Sequence, residues 1–195
     1  VLMRAENKSY IHYQKGGLVL YALQDLMGAD RLHAALRDLL DSYRDDLQVF
    51  PPTRDLLARL RAEADPASAA FIEDGFERIM IYDFSVQSAV GRARPTGGYQ
   101  IEVTVNAGRA DATAGGRGTP VEMDEQSDVG LLRAHPDAPM TAEDVIDVTV
   151  SRLTDGTQSL TLYSDVQPEF VSVDPFLKRI DRDADDNTMA VSWSD

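Results

Sequence analysis

The chain has no cysteine, which excludes disulfides, thiolate zinc sites and cysteine nucleophiles together. Histidine is scarce as well. His12, His33 and His135 form no HxxxH pair, and none stands at the spacing from a carboxylate that puts both ligands on one helical face. No zinc motif is therefore legible within the chain; His33 reads as a helix-surface residue and His135 as a loop residue beside Pro136. Long apolar runs are missing too. Nothing approaches the ~20 residues that cross a bilayer, and residues 1–15 lack the basic-then-apolar pattern of a leader, so a soluble piece without direct membrane insertion is expected. Basic residues are outnumbered, 19 Lys and Arg against 33 Asp and Glu, and the net charge of −14 opposes nucleic acid and anionic membrane surfaces. There is no GxSxG and no histidine at a recognisable general-base position. "GGRG" at 115–118 lacks the lysine and the strand-to-helix context of a phosphate loop and reads as a hairpin tip.

What is present suffices for one large domain or two small ones: 195 residues, 43% of them hydrophobic. From Lys15 to about Arg78 the apolar positions recur at helical spacing. Leu18, Ala22 and Leu26 form one stripe and Val19, Leu23 and Met27 the one beside it; Gly28 offers a stop and Asp30 a new N-cap. Leu32, Leu36, Leu39 and Leu40 predict a second helix to about Asp46. "PPTRDLLARLRAEA" predicts a third, with Thr53 as N-cap and Leu56, Leu57 and Leu60 inward, and a fourth is expected over residues 66–78. Short connections favour antiparallel neighbours.

After Ile79 the period changes to two. Tyr99, Ile101, Val103 and Val105 alternate with Gln100, Glu102, Thr104 and Asn106, giving a strand with one apolar and one wet face. Ile146, Val148 and Val150 do the same before Asp155-Gly156, and Leu160 and Leu162 follow, which predicts an antiparallel hairpin there. Further strands are expected at 79–84, 86–93, 119–123, 128–134 and 168–173. The reading is an α+β chain: a helical subdomain over residues 1–78 and an antiparallel β-sandwich over 79–195, with the junction between 76 and 85.

Two stretches raise chemical questions. Asp181, Asp183 and Asp185 alternate like the start of a calcium loop, but position six would be Asp186 instead of glycine and position twelve Ser192 instead of glutamate, so a solvated turn fits better. In "YIHYQKGGLVLYAL", Tyr13 precedes an apolar helical run. Its ring could serve as packing. Alternatively, its hydroxyl could stabilise an oxyanion in a water-poor cleft. Gly16 and Gly17 bear on the choice, because glycine near a helix start costs up to ~1 kcal/mol relative to alanine and two together suggest close approach of a backbone or ligand.

"HYQKGGLVLYALQDLMGADRLHAALRDLL", residues 12–40, resembles the gluzincin aminopeptidases, peptidase family M-one, the alanyl-aminopeptidase and leukotriene-hydrolase group. That family carries a YxKG motif after its HExxH zinc helix and the helix bearing a glutamate ligand. The match is Tyr13-Gln14-Lys15-Gly16, followed by an apolar helix, an "MG" turn and a second helix; "PPTRDLLARL" is similar to the next segment. "FIEDGFERIMIYDF" and "FVSVDPFLKRIDRDADDN" resemble the C-terminal region of bacterial members fused to the membrane segments of an ABC-type permease.

The resemblance implies a zinc metallo-aminopeptidase parent acting on peptide substrates at free N-termini, with Tyr13 as oxyanion stabiliser and Lys15 and Gly16 as motif positions shaping the turn. It places the zinc ligands, the general-base glutamate and the groups gripping the substrate amine in the upstream part of the same polypeptide. The opening "VLMRAENKSY" without an initiator Met reads as the start of an excised piece. The expectation is an inactive C-terminal piece with no cofactor of its own, from a membrane-associated bacterial parent. The rival expectation is a non-catalytic β-sandwich module that binds a protein partner or links a peptidase-like domain to a membrane segment.

Overall fold

The computed structural model describes residues 2–4, 10–45, 49–113, 117–136 and 140–194; the side chains of residues 4 and 10–12 lie outside that description. Two compact units emerge, one formed by Val1–Met80 with Ala112–Gly115, the other by Ile81–Asp111 with Gly116–Asp195. The architecture is α+β, helices first and sheets after.

The helical unit holds α1 (Gly16–Met27), α2 (Ala29–Tyr43), α3 (Thr53–Glu63) and α4 (Pro66–Glu77). Of the two stripes on α1, the one through Val19, Leu23 and Met27 is buried, joined by Ala22. Leu32 and Ala35 from α2, Leu57 and Leu60 from α3 and Ile72 and Phe76 from α4 complete the core. Leu40 is 69% exposed, so the expected apolar face of α2 narrows towards its end. That helix closes at Tyr43, and the anticipated end at Asp46 lies outside the described residues. The caps differ from expectation by two residues at α2 and by one at α3. Gly28, with φ of 84°, takes the cap position of α2 and Asp30 falls in its first turn; Pro52 precedes α3 and Thr53 is already helical. Only α4 begins on a side-chain cap, the Ser68 N–H donating to Asp65 at 2.9 Å ahead of Pro66. Close approach marks the α1–α4 contact, where a Cβ on Gly75 would lie 2.8 Å from a Val19 methyl.

In the second unit two sheets form. The first runs β3 (Gly118–Pro120), β2 (Tyr99–Ala112), β1 (Met80–Ala93), β9 (Ser192–Trp193), with β6 (Gly156–Ser164) also on β2; the second runs β5 (Val145–Thr154), β4 (Asp124–Leu132), β7 (Phe170–Val173), β8 (Thr188–Ala190). The two strands expected at 79–84 and 86–93 are one strand. Tyr82, Phe84 and Val86 face inward, after which the inward positions become Ala89 and Gly91, so the alternation slips by a residue around 87–88 without ending the ladder. The expected hairpin across Asp155-Gly156 is a correction. β5 pairs antiparallel with β4 and β6 with β2, so the chain crosses from one sheet to the other there, at Gly156 with φ of 88°. Asp155 instead accepts the Met123 N–H at 2.9 Å. β9 departs from the antiparallel pattern, since it runs parallel to β1.

Between the sheets lies a polar cluster. The Tyr82 hydroxyl of β1 donates to Glu125 of β4 at 3.0 Å, Arg109 of β2 pairs with the same carboxylate, and Arg179 stands 3.5 Å from it and 5.7 Å above the Tyr82 ring. Burial, then the Glu125 charge, pushes the Tyr82 phenol well above its ordinary range. Nearby, buried Asp174 has φ of 49° and accepts the Lys178 and Arg179 N–H groups at 2.9 and 2.7 Å, closing the turn after β7. Desolvation raises its pKa from 3.8 to about 6, against the lowering effect of those two bonds and the Arg179 charge.

A pH dependence follows from Asp174. The folded chain keeps this proton up to about 6 whereas the unfolded chain releases it near 3.8, so the folded state binds more protons in between. Stability from this group is fully present below 3.8 and is lost as pH rises through 6, about 3 kcal/mol in all. Urea midpoints followed by Trp193 fluorescence should fall less between pH 4 and 7 in Asp174→Asn than in the parent chain. Parallel curves for the two proteins would refute the assignment.

Candidate functional site

Tyr13 lies on a π-helical turn, Tyr10–Lys15, that leads into α1. The sequence pattern gave no sign of this turn, in which the backbone bonds run one residue further than in an α-helix. Such turns are uncommon and concentrate at functional sites. The Tyr13 side chain is 78% exposed, so it buries too little area to act as a core-packing residue.

It stands at the lip of an open groove of about 530 Å³. Leu2 and Met3, from a short 3₁₀ turn, and Leu20 and Phe76 supply apolar walls; Gly16, Gly17 and Thr53 complete the lining. The volume falls within the range of small-ligand sites, and the composition is typical of them: mostly apolar, with a phenol and a threonine hydroxyl as polar side-chain groups. Chemically, this arrangement can orient a ligand by its apolar surface and presents the Tyr13 and Thr53 hydroxyls as its polar side-chain groups. Thr53 enters the groove because it is the first residue of α3 and not its cap, a one-residue shift that helix signals do not resolve.

The glycine pair separates into two roles. Gly16 is buried, and Gly17 is exposed with no atom within 4 Å of where a Cβ would stand. Among the described residues, none makes the close approach that the pair suggested at Gly17, which lines the groove.

Lys15 is not among the residues that line the groove. It is half-buried, and its ammonium donates to the Arg78 carbonyl at 3.0 Å, just beyond the end of α4. Desolvation lowers its pKa.

None of the other candidates whose side chains are described lines this groove. His33 is exposed on α2, the His12 side chain lies outside the described residues, and His135 packs edge-on against Phe170 at 5.4 Å between centroids. In the acidic run, Asp181 is tied down by hydrogen bonds: it accepts the Phe84 N–H at 3.0 Å, the Asp183 N–H at 3.0 Å and the Asn187 amide at 3.2 Å. Burial raises its pKa. The turn is thus partly built into the sheet edge, less solvated than expected. Gly115 and Gly116 of "GGRG" lie outside the described residues. Among the described residues no group of three or more His, Cys, Asp or Glu could hold a metal ion, and no helix is long and apolar enough to cross a membrane.

No protein-family model matches the chain, and no curated protein matches it.

Proposed function

We propose that this chain is the C-terminal part of a zinc aminopeptidase-like polypeptide and contributes Tyr13 as the hydrogen-bond donor to the oxyanion formed during peptide-bond hydrolysis at a free N-terminus. The observation that carries the reading is the exposed phenol at the lip of an apolar groove, on the turn that bears the YxKG residues. An exposed tyrosine beside an open groove can meet a substrate oxygen.

The described residues do not fit a zinc ion, so no metal-dependent step is assigned to them. In this reading the ligands and the general base belong to the upstream part of the polypeptide, and the parent is associated with a bacterial membrane through its permease-like segment. The test is zinc analysis and aminoacyl-arylamide hydrolysis on two lengths. The longer polypeptide should bind zinc and turn over substrate, and the 195-residue chain should do neither. Stoichiometric tight zinc or turnover in the short chain would overturn the proposal. Upstream ligand positions occupied by non-ligating residues would favour the non-catalytic module.

A further inference from the structure

We propose that Lys15 is a positioning residue, whose bond to the Arg78 carbonyl fixes the π-helical turn on α4 and so sets where the Tyr13 phenol stands over the groove. The inference rests on the oxyanion reading of Tyr13 for its catalytic consequence, but not for the tether itself.

Three observations support it. The bond joins residues 63 apart in sequence, so it constrains tertiary placement and not local conformation. Its acceptor lies one residue past α4, at the negative end of that helix, where a lysine ammonium is favoured. Finally, the half-buried ammonium donates to a backbone oxygen, and among the described residues no carboxylate pairs with it. Within α1, Val19 fits closely against Gly75 of α4, and the Lys15–Arg78 bond ties the turn just before α1 to the residue just after α4. The tether is the point nearer Tyr13, and between it and the phenol lies only Gln14.

The test uses Lys15→Met, Lys15→Gln and Lys15→Arg in the 195-residue chain and in the longer polypeptide. In the short chain, Met and Gln should shift the Tyr13 ring resonances and speed amide exchange at Gly16 and Gly17 about tenfold, the effect of losing one charged hydrogen bond. Arg, which can still reach a carbonyl, should restore both. In the longer polypeptide Lys15→Met should lower kcat up to about 10²-fold with KM within about threefold, as misplacement of a reacting group does. Combined with Tyr13→Phe, the same change should cost less than about threefold, because the group it positions is gone. Unmoved ring resonances and unchanged exchange would overturn the proposal, as would equal losses of kcat in the two backgrounds. If Tyr13→Phe alone keeps full turnover while Lys15→Met still shifts the ring, the tether stands and the oxyanion reading fails.

Discussion

On the proposed reading, Tyr13→Phe in the longer polypeptide should lower kcat on an aminoacyl-arylamide by about 10²–10³-fold, the usual cost of removing one oxyanion donor. KM should change little, because the ring that contacts the groove remains and only a hydroxyl that bonds more strongly in the transition state is lost. Stability should hardly respond. The side chain is 78% exposed, and a surface substitution of this kind stays within about 0.5 kcal/mol. The decisive measurement is therefore the contrast between turnover and urea midpoint. A packing residue would move the midpoint and spare turnover; an oxyanion donor does the reverse. Undiminished kcat in Tyr13→Phe would remove the function assigned here. A loss shared equally between kcat and stability would point to a structural role for the ring.

The periodicities carried the two halves of the fold because the elements that build the cores each have one buried face. Val19, Leu23 and Met27 repeat at four residues and are buried; Ile101, Val103 and Val105 repeat at two and are buried. What the pattern could not carry was pairing. Val148 and Val150 look like half of a hairpin with Leu160 and Leu162, and turn-forming residues stand between them, but each run pairs elsewhere: nine register pairs join β2 and β6, and nine join β4 and β5. Local turn chemistry favours a hairpin only when the flanking strands have nothing better to join. The strand β1 failed to read as continuous for a different reason, the slip of its inward face around 87–88.

The site divides the same way. Tyr13, Lys15 and Gly16 stood out as a tetrapeptide, whereas their geometry depends on residues far along the chain: Arg78 for the tether, Phe76 and Thr53 for the groove. A π-helical turn leaves no signature in apolar spacing, since it inserts one residue where the register of α1 has yet to begin. The cluster around Glu125 was not legible at all. Its members come from positions 82, 109, 125 and 179, and in so acidic a chain a lone glutamate carries no signal.

That cluster yields the largest expected loss of stability. Glu125 is 17% exposed and serves three partners: the Tyr82 hydroxyl, Arg109 and Arg179, whose own exposures in the ion pairs are 17% and 7%. Glu125→Ala removes the shared acceptor and leaves two largely buried guanidinium groups without it. Breaking a buried pair from one side costs about 3–5 kcal/mol, far above the value of an exposed ion pair. Trp193 reports the transition well, because it is the chain's single tryptophan and packs edge-on against Tyr99 at 5.3 Å in the same unit. Two companion variants locate the origin of the loss. Glu125→Gln keeps the shape and one acceptor but not the charge, and should fall between the parent and alanine. Tyr82→Phe removes a single neutral donor to a charged acceptor and should cost about 1.5–3 kcal/mol at most. If alanine instead costs under about 1 kcal/mol, the guanidinium groups are finding water or other acceptors without strain, and the sheets are held by their apolar faces alone.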